Sequence, residues 1–94
     1  MQVRLTRRAE RDLDRVERYT VERFGVGQWM TYSVALEEGL ATLARFPEIG
    51  IDSPILPRVV RAYRCDQHWL CYRVEADVIR VTAIIRSLAD YRRR

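Results

Sequence analysis

The sequence predicts an α+β fold of order β-α-α-β-β-β, with a helical hairpin packed on a small antiparallel sheet. Three observations carry this expectation. Apolar residues recur every three or four positions between Ala9 and Leu43, interrupted by Gly25 and Gly27. The stretch Pro47–Pro57 then gathers all the prolines together with Gly50. Beyond it the apolar spacing changes from helical to alternating, which is the pattern of strands.

Taken in order, Val3 and Leu5 alternate with Gln2 and Arg4 and predict a short opening strand. Thr6 fits a helix N-cap, because its hydroxyl can accept from a free amide of the first turn. Ala9, Leu13, Val16, Thr20 and Phe24 follow at helical spacing, and Tyr19 widens the stripe, so one face of this helix should be buried. The other face is charged, and Arg8–Asp12, Asp14–Arg18 and Arg18–Glu22 stand in positions to pair. Gly25 should end the helix in a left-handed conformation. A second helix places Trp29, Tyr32, Leu36, Leu40 and Leu43 on one side and cannot pass Pro47. The short link makes the two helices antiparallel.

Three strands are expected after the proline-rich loop: Val59 to Tyr63, His68 to Glu75, and Val78 to Arg86, the last two joined by a tight turn at Ala76-Asp77. In the final strand Ile79, Val81, Ala83 and Ile85 share one face, and Arg80, Thr82, Ile84 and Arg86 the other. That alternation predicts a sheet covered by helices on one side and open on the other. No repeat, low-complexity tract or internal boundary interrupts the chain, and its 94 residues read as one domain.

The composition, 48% apolar and 32% charged, is that of a globular chain. No apolar run approaches the roughly 18 residues of a membrane span. Met1 to Glu10 lacks the apolar core of a secretion signal, so the expected location is cytoplasmic. All 17 basic residues are arginine, whose planar fork suits carboxylate and phosphate. Residues 1–50 are neutral overall, and residues 51–94 carry the whole net charge of +4. Such asymmetry fits an acidic partner or nucleic acid, and equally a solvated basic face with a frayed tail. Cys65 and Cys71 flank His68 as C-x2-H-x2-C. On a strand, however, His68 and Cys71 point to opposite faces, whereas zinc needs converging ligands. Inert thiols, no metal and no other cofactor are therefore expected.

Several residues in order carry a family resemblance: Leu5-Thr6, then Ala9, Asp12 and Leu13, then Tyr19-Thr20, Phe24-Gly25, Gln28 and Tyr32. They continue through Leu43-Ala44, Pro47 and Gly50 to Arg61, His68, Tyr72 and Ile84-Ile85. Together they resemble the ParE-like branch of the RelE/ParE superfamily of type II toxin–antitoxin toxins, over nearly the whole chain. The resemblance implies a RelE/ParE-like fold and a single toxin domain over residues 1–94. It also implies inhibition of DNA gyrase, neutralised by a cognate antitoxin encoded nearby in a hetero-oligomeric complex. One position departs: the family often closes its last strand with His, and Arg86 stands here.

An antitoxin of this kind is a flexible acidic chain that wraps the helical hairpin and reaches the sheet. The resemblance thereby implies Leu13, Val16, Tyr19, Trp29, Arg58 and Arg64 as its contacts. The target is expected at Arg61, Arg80, Arg86, Arg92, Arg93 and Arg94, as arginines on an open sheet keep their donors free. Arg61 could instead be structural, tying the sheet to a carboxylate in the loop.

The alternative within the superfamily is a RelE-type ribosome-dependent mRNA endonuclease. By the resemblance, that branch tends to carry Lys or Arg near Val60, Ala62 and Trp69, which are apolar here. Arginines do not titrate near neutrality, and His68 is the one group that ordinarily does. His68 shares a strand face with Leu70, Tyr72 and Val74, where a histidine is more often structural than catalytic. Tyr72 reads as a core aromatic with a bonded hydroxyl. No catalytic residue is assigned, and a binding toxin is favoured over an enzyme. Two further readings stay open: an RNA-binding module stacking bases on Trp69, and an interaction module without toxicity.

Overall fold

Thr6 is where the chain turns from strand to helix. Its backbone is extended and its Oγ1 accepts from the Ala9 amide at 3.2 Å, capping α1 (Arg7–Phe24) directly after β1 (Gln2–Leu5). This computed structural model describes residues 1–93 of the protein. Gly25, at φ 94° and ψ 167°, ends α1 by donating to Val21 O, and its own carbonyl accepts from Trp29 to open α2 (Val26–Arg45). This is not the left-handed helical conformation expected from the sequence. It belongs to a region closed to residues with a Cβ, and it reverses the chain within one residue.

The buried stripe of α1 is Ala9, Asp12, Val16 and Thr20. Leu13 is half-buried against the core. Phe24 and Tyr19, expected on the buried face, are 65% and 42% exposed. Phe24 is the last residue of the helix, and Tyr19 lies one position off the buried stripe. Of the pairs expected on the charged face, Arg8–Asp12 forms at 3.4 Å, while Arg18 pairs with neither Asp14 nor Glu22. In α2, Tyr32, Leu36 and Leu43 are buried, and Trp29 and Leu40 pack beside them.

The sheet contains β2 (Arg61–Cys65), β3 (His68–Glu75) and β4 (Val78–Ile85) in the order β1-β4-β3-β2. β2 starts two residues later than expected. Turns at Asp66-Gln67 and Ala76-Asp77 join the three strands as antiparallel hairpins. β1 instead lies parallel to β4, with Leu5 beside Val81, so the sheet is mixed. The helical hairpin and loop form one long crossover, which returns the chain in the direction it left. Alternation in a sequence reports faces and is silent on direction.

β4 carries the largest departure from the sequence reading. Cys71 pairs with Ala83 and Tyr72 with Val81, leaving Thr82 as an extra residue. Ile79 and Val81 face the helices, but beyond Thr82 the phase inverts. Ile84 joins the helix-side core, while Ala83 and Ile85 turn to the opposite face. That face is not open. Leu56 and Val60 from the loop, Ala62, Cys71, Ala83 and Ile85 form a second core, flanked by Trp69, Leu88 and Tyr91.

Hydrogen bonds hold both segments that cover this face. Tyr72 Oη donates to Pro47 O at 2.7 Å and accepts from Gly50 N at 2.9 Å, and Ile51 pairs with Ala62. After β4 a short 3-10 helix, Leu88–Asp90, brings Tyr91 Oη to Thr82 Oγ1 at 3.0 Å. Arg8 donates to the carbonyls of Asp90 and Tyr91. The segment from Ser87 to Tyr91 is thus anchored through Asp90 and Tyr91. Among the described residues, no helix is long and apolar enough to cross a membrane.

Candidate functional site

The inverted phase of β4 decides where Arg86 goes. Without the extra residue at 82, alternation would put Arg86 on the face of Arg80. Instead its guanidinium lies on the helix side, 5.9 Å from the centroid of the Tyr19 ring. Two cavities meet at Tyr19, His68 and Arg86. One, of about 380 Å³, runs toward Arg8, Arg15, Val16 and Arg93; the other, of about 450 Å³, runs toward Phe24, Gln28 and Gln67. They form a groove along α1, apolar at Val16 and Ile84 and rimmed by arginine.

Asp12 supports one wall. It is only 4% exposed, accepts from Ile84 N at 3.0 Å, and lies 3.4 Å from both Arg8 and Arg15. A buried carboxylate persists when its lone pairs are used, and here they bolt α1 to the displaced end of β4.

His68 lines both cavities with Arg86, and its Nδ1 is 2.6 Å from Tyr32 Oη. Burial, then the charges of Arg86 and Arg64, pulls its pKa down to about 4 against the opposing pull of Asp66. Burial likewise pushes the Tyr32 phenol up to about 12. At neutral pH the ring is therefore uncharged and the phenol keeps its proton. Tyr32 Oη accepts from Gln67 N at 3.2 Å, and its other acceptor, Cys65 O, is at the 3.5 Å limit. The phenol proton accordingly goes to His68 Nδ1, which leaves the single proton of the neutral ring on Nε2. Among the described residues, no buried side-chain nitrogen or oxygen lacks a partner. Among the described residues Nε2 has no partner, and the ring lines both cavities, so it opens onto the groove as a donor.

The family model for the ParE toxin of type II toxin–antitoxin systems, parDE, matches residues 3–91. The chain belongs to this family. Toxin ParE of Escherichia coli is 33% identical over 87 residues, covering 92% of this chain and 84% of that protein. Toxin ParE1 of Caulobacter vibrioides is 34% identical over 80 residues, covering 83% of each. A chain of the chromosomal ParDE TA system from P. aeruginosa shares the fold, with a TM-score of 0.79 at 23% identity over 92% of this chain and 95% of that one.

The ParE framework separates the arginines expected to bind the target. Arg61 donates to the carbonyls of Gly50 at 3.0 Å and Glu48 at 3.4 Å, holding the loop by its backbone rather than by a carboxylate. Arg80 and Arg73 both pair with Glu75, and these hydrogen bonds hold its carboxyl below the usual range. Arg80 lies on the outer face, about 20 Å along the strand from Arg86 at the rise of an extended chain. Arg92 is exposed, and Arg93 lies 3.7 Å from Asp90. Arg94 lies outside the described residues.

Of the residues expected at the antitoxin, Val16 and Tyr19 line the groove. Leu13 and Trp29 pack against the main core, and Arg58 is exposed in the loop. Arg64 donates to Asp66 O at 2.8 Å and lies 5.3 Å over the Trp69 ring, occupying a face that a stacked base would need. The C-x2-H-x2-C grouping comes apart: Cys65 and His68 are cross-strand neighbours on the helix side, and Cys71 is behind the sheet. Burial raises both thiols, Cys71 to about 12.

Two features escaped the sequence reading. Asp12 was placed among surface pairs, although a carboxylate three residues after Ala9 lies on the apolar stripe itself. Val26, Met30 and Val34 are exposed at four-residue spacing on the outer side of α2, beside exposed Phe24. Their periodicity was visible, but the stronger stripe through Leu36 and Leu43 hid it.

Proposed function

We propose that this ParE-family chain is a binding toxin that inhibits DNA gyrase in the cytoplasm and does not cut mRNA. A cognate antitoxin, encoded nearby, holds it inactive in a hetero-oligomeric complex. The observation that carries the reading is the fate of three positions where the ribonuclease branch tends to be basic. Val60 and Ala62 are 3% and 1% exposed within the second core, and Trp69 lies under Arg64. No phosphate cradle fits there. His68 adds support: bonded to Tyr32 and uncharged at neutral pH, it lacks the imidazolium that a general acid requires, and its remaining N–H is far too weakly acidic to replace it. Target contacts then belong to Arg86, Arg92 and Arg93, whereas Arg61 and Arg80 serve the fold.

The antitoxin reading draws on the exposed Phe24, Val26, Met30 and Val34, apolar surface that a partner helix would cover. The test is a supercoiling assay with purified gyrase, run beside ribosome-dependent mRNA cleavage. Inhibited supercoiling, or a trapped cleaved complex, with intact mRNA is expected. Codon-specific cleavage at the ribosomal A site, with gyrase untouched, would overturn the proposal.

A further inference from the structure

Most groove-lining arginines already have partners. Arg8 and Arg15 reach Asp12, and Arg93 reaches Asp90. Among the described residues, Arg86 has no acid within 4 Å and no hydrogen bond; it rests only on the Tyr19 ring. It stands where the two cavities join, beside the free Nε2–H of His68. Two donors, one charged and one neutral, therefore line the same junction. That is the chemistry of an oxyanion site, and the fixed tautomer of His68 makes it one without any protonation. Apolar surface lies on both sides, at Val16 and Ile84 one way and Phe24 the other. Free anions have no use for such flanks, but an acidic side chain between two apolar ones fits them.

We propose that the Tyr19–His68–Arg86 junction is a carboxylate pocket, filled by an aspartate or glutamate of an antitoxin segment lying along α1. This rests on the antitoxin reading above. Arg86 supplies the charge, His68 Nε2 the second hydrogen bond, and Tyr19 the wall that keeps the guanidinium from swinging into solvent. Apolar residues three or four positions either side of the acid would enter the two cavities, since that spacing places them on one helical face. The same guanidinium is then hidden from any target while the segment is bound.

The test uses the chain co-expressed with the product of each open reading frame flanking its gene, and measures Kd for the purified pair. Arg86→Ala should weaken binding by about 30-fold or more, as when one partner of a desolvated charge pair is removed. Arg86→Lys should recover only part of this, because one ammonium cannot reproduce the fork. His68→Gln, which keeps a donor without the ring, and Tyr19→Ala should each weaken binding several-fold, and Arg11→Ala, outside the groove, should leave it unchanged. Thermal melts of every variant separate lost binding from lost fold. If a complex forms and folded Arg86→Ala binds as tightly as wild type, the pocket is wrong and the antitoxin reading survives. If neither product binds the wild-type chain, the antitoxin reading falls and takes this proposal with it.

Discussion

Replacing Asp12 by alanine should destabilise the domain more than any exposed charge on α1. The carboxylate accepts from the buried Ile84 amide at 3.0 Å and neutralises Arg8, whose side chain is largely covered. Orphaning a buried amide costs roughly 1–3 kcal/mol. Leaving Arg8 without its acid adds to this, although its bonds to the Asp90 and Tyr91 carbonyls survive. The exposed Arg15 contributes little. The total is about 3 kcal/mol, which at roughly 5 °C per kcal/mol for a domain of this size lowers Tm by about 15 °C. Asp12→Asn retains an acceptor for Ile84 while losing the charge, and should cost about half as much. Asp14→Ala, exposed and without an ion-pair partner among the described residues, should stay within about 0.5 kcal/mol. Urea and thermal melts give the energies, and amide exchange gives the location: the Ile84 amide should lose protection in Asp12→Ala and keep it in Asp12→Asn. Equal costs for the alanine and asparagine variants, with Ile84 protected in both, would refute the claim that this bond ties α1 to β4.

Three other outcomes follow from the same contacts. The pKa of His68 in the fold, about 4, lies below its unfolded value of 6.5, so the unfolded chain binds the proton first and stability drains away as pH falls from about 6.5 toward 4. The full shift is worth roughly 3 kcal/mol, and the solvent-facing edge of the ring reduces this to about 2 kcal/mol. Urea melts at pH 7 and 4.5 should show that loss in wild type and much less of it in His68→Gln; equal slopes would count against it. Tyr72→Phe should cost about 1–3 kcal/mol by stranding the Gly50 amide and Pro47 carbonyl, with faster proteolysis in the 47–60 loop as its local sign. Two glycines of α2 should answer alanine in opposite directions on melting. Gly27 faces open space and should gain up to about 1 kcal/mol in helix propensity, whereas a Cβ at Gly39 would stand 2.6 Å from Cys65 Sγ and should cost about 1–2 kcal/mol.

The elements of this fold were legible because each rests on local chemistry. Thr6 caps, Gly25 reverses, the prolines break, and period three-to-four passes to period two. What escaped depends on pairing between distant residues. Nothing local marks Thr82 as surplus, since the surplus exists only relative to Cys71 and Tyr72 on the neighbouring strand. With the phase unbroken, alternation puts Ala83 and Ile85 on the helix side and Arg86 on an open face. That one slip also concealed the second core, because Leu56, Val60 and Tyr91 need those side chains to pack on. The parallel partner of β1 was hidden for a related reason: face alternation is the same for either direction of pairing. At the candidate site the sequence presents Tyr19, His68 and Arg86 singly, and only the bulge brings them together.

The pairing of β1 with β4 bears on when the groove is complete. Leu5 waits for Val81, and Arg8 for Asp90 and Tyr91, so the earliest-made residues find their partners among the latest. Such distant closures make folding slow compared with helix formation. While the chain is being synthesised, α1 and α2 have no finished sheet to rest on, and Arg86 has no wall at Tyr19 until the last strand is free of the ribosome. A chain cut short before residue 82 would lack the groove altogether. The groove is therefore the last surface to be assembled, after both helices that line it have already been made.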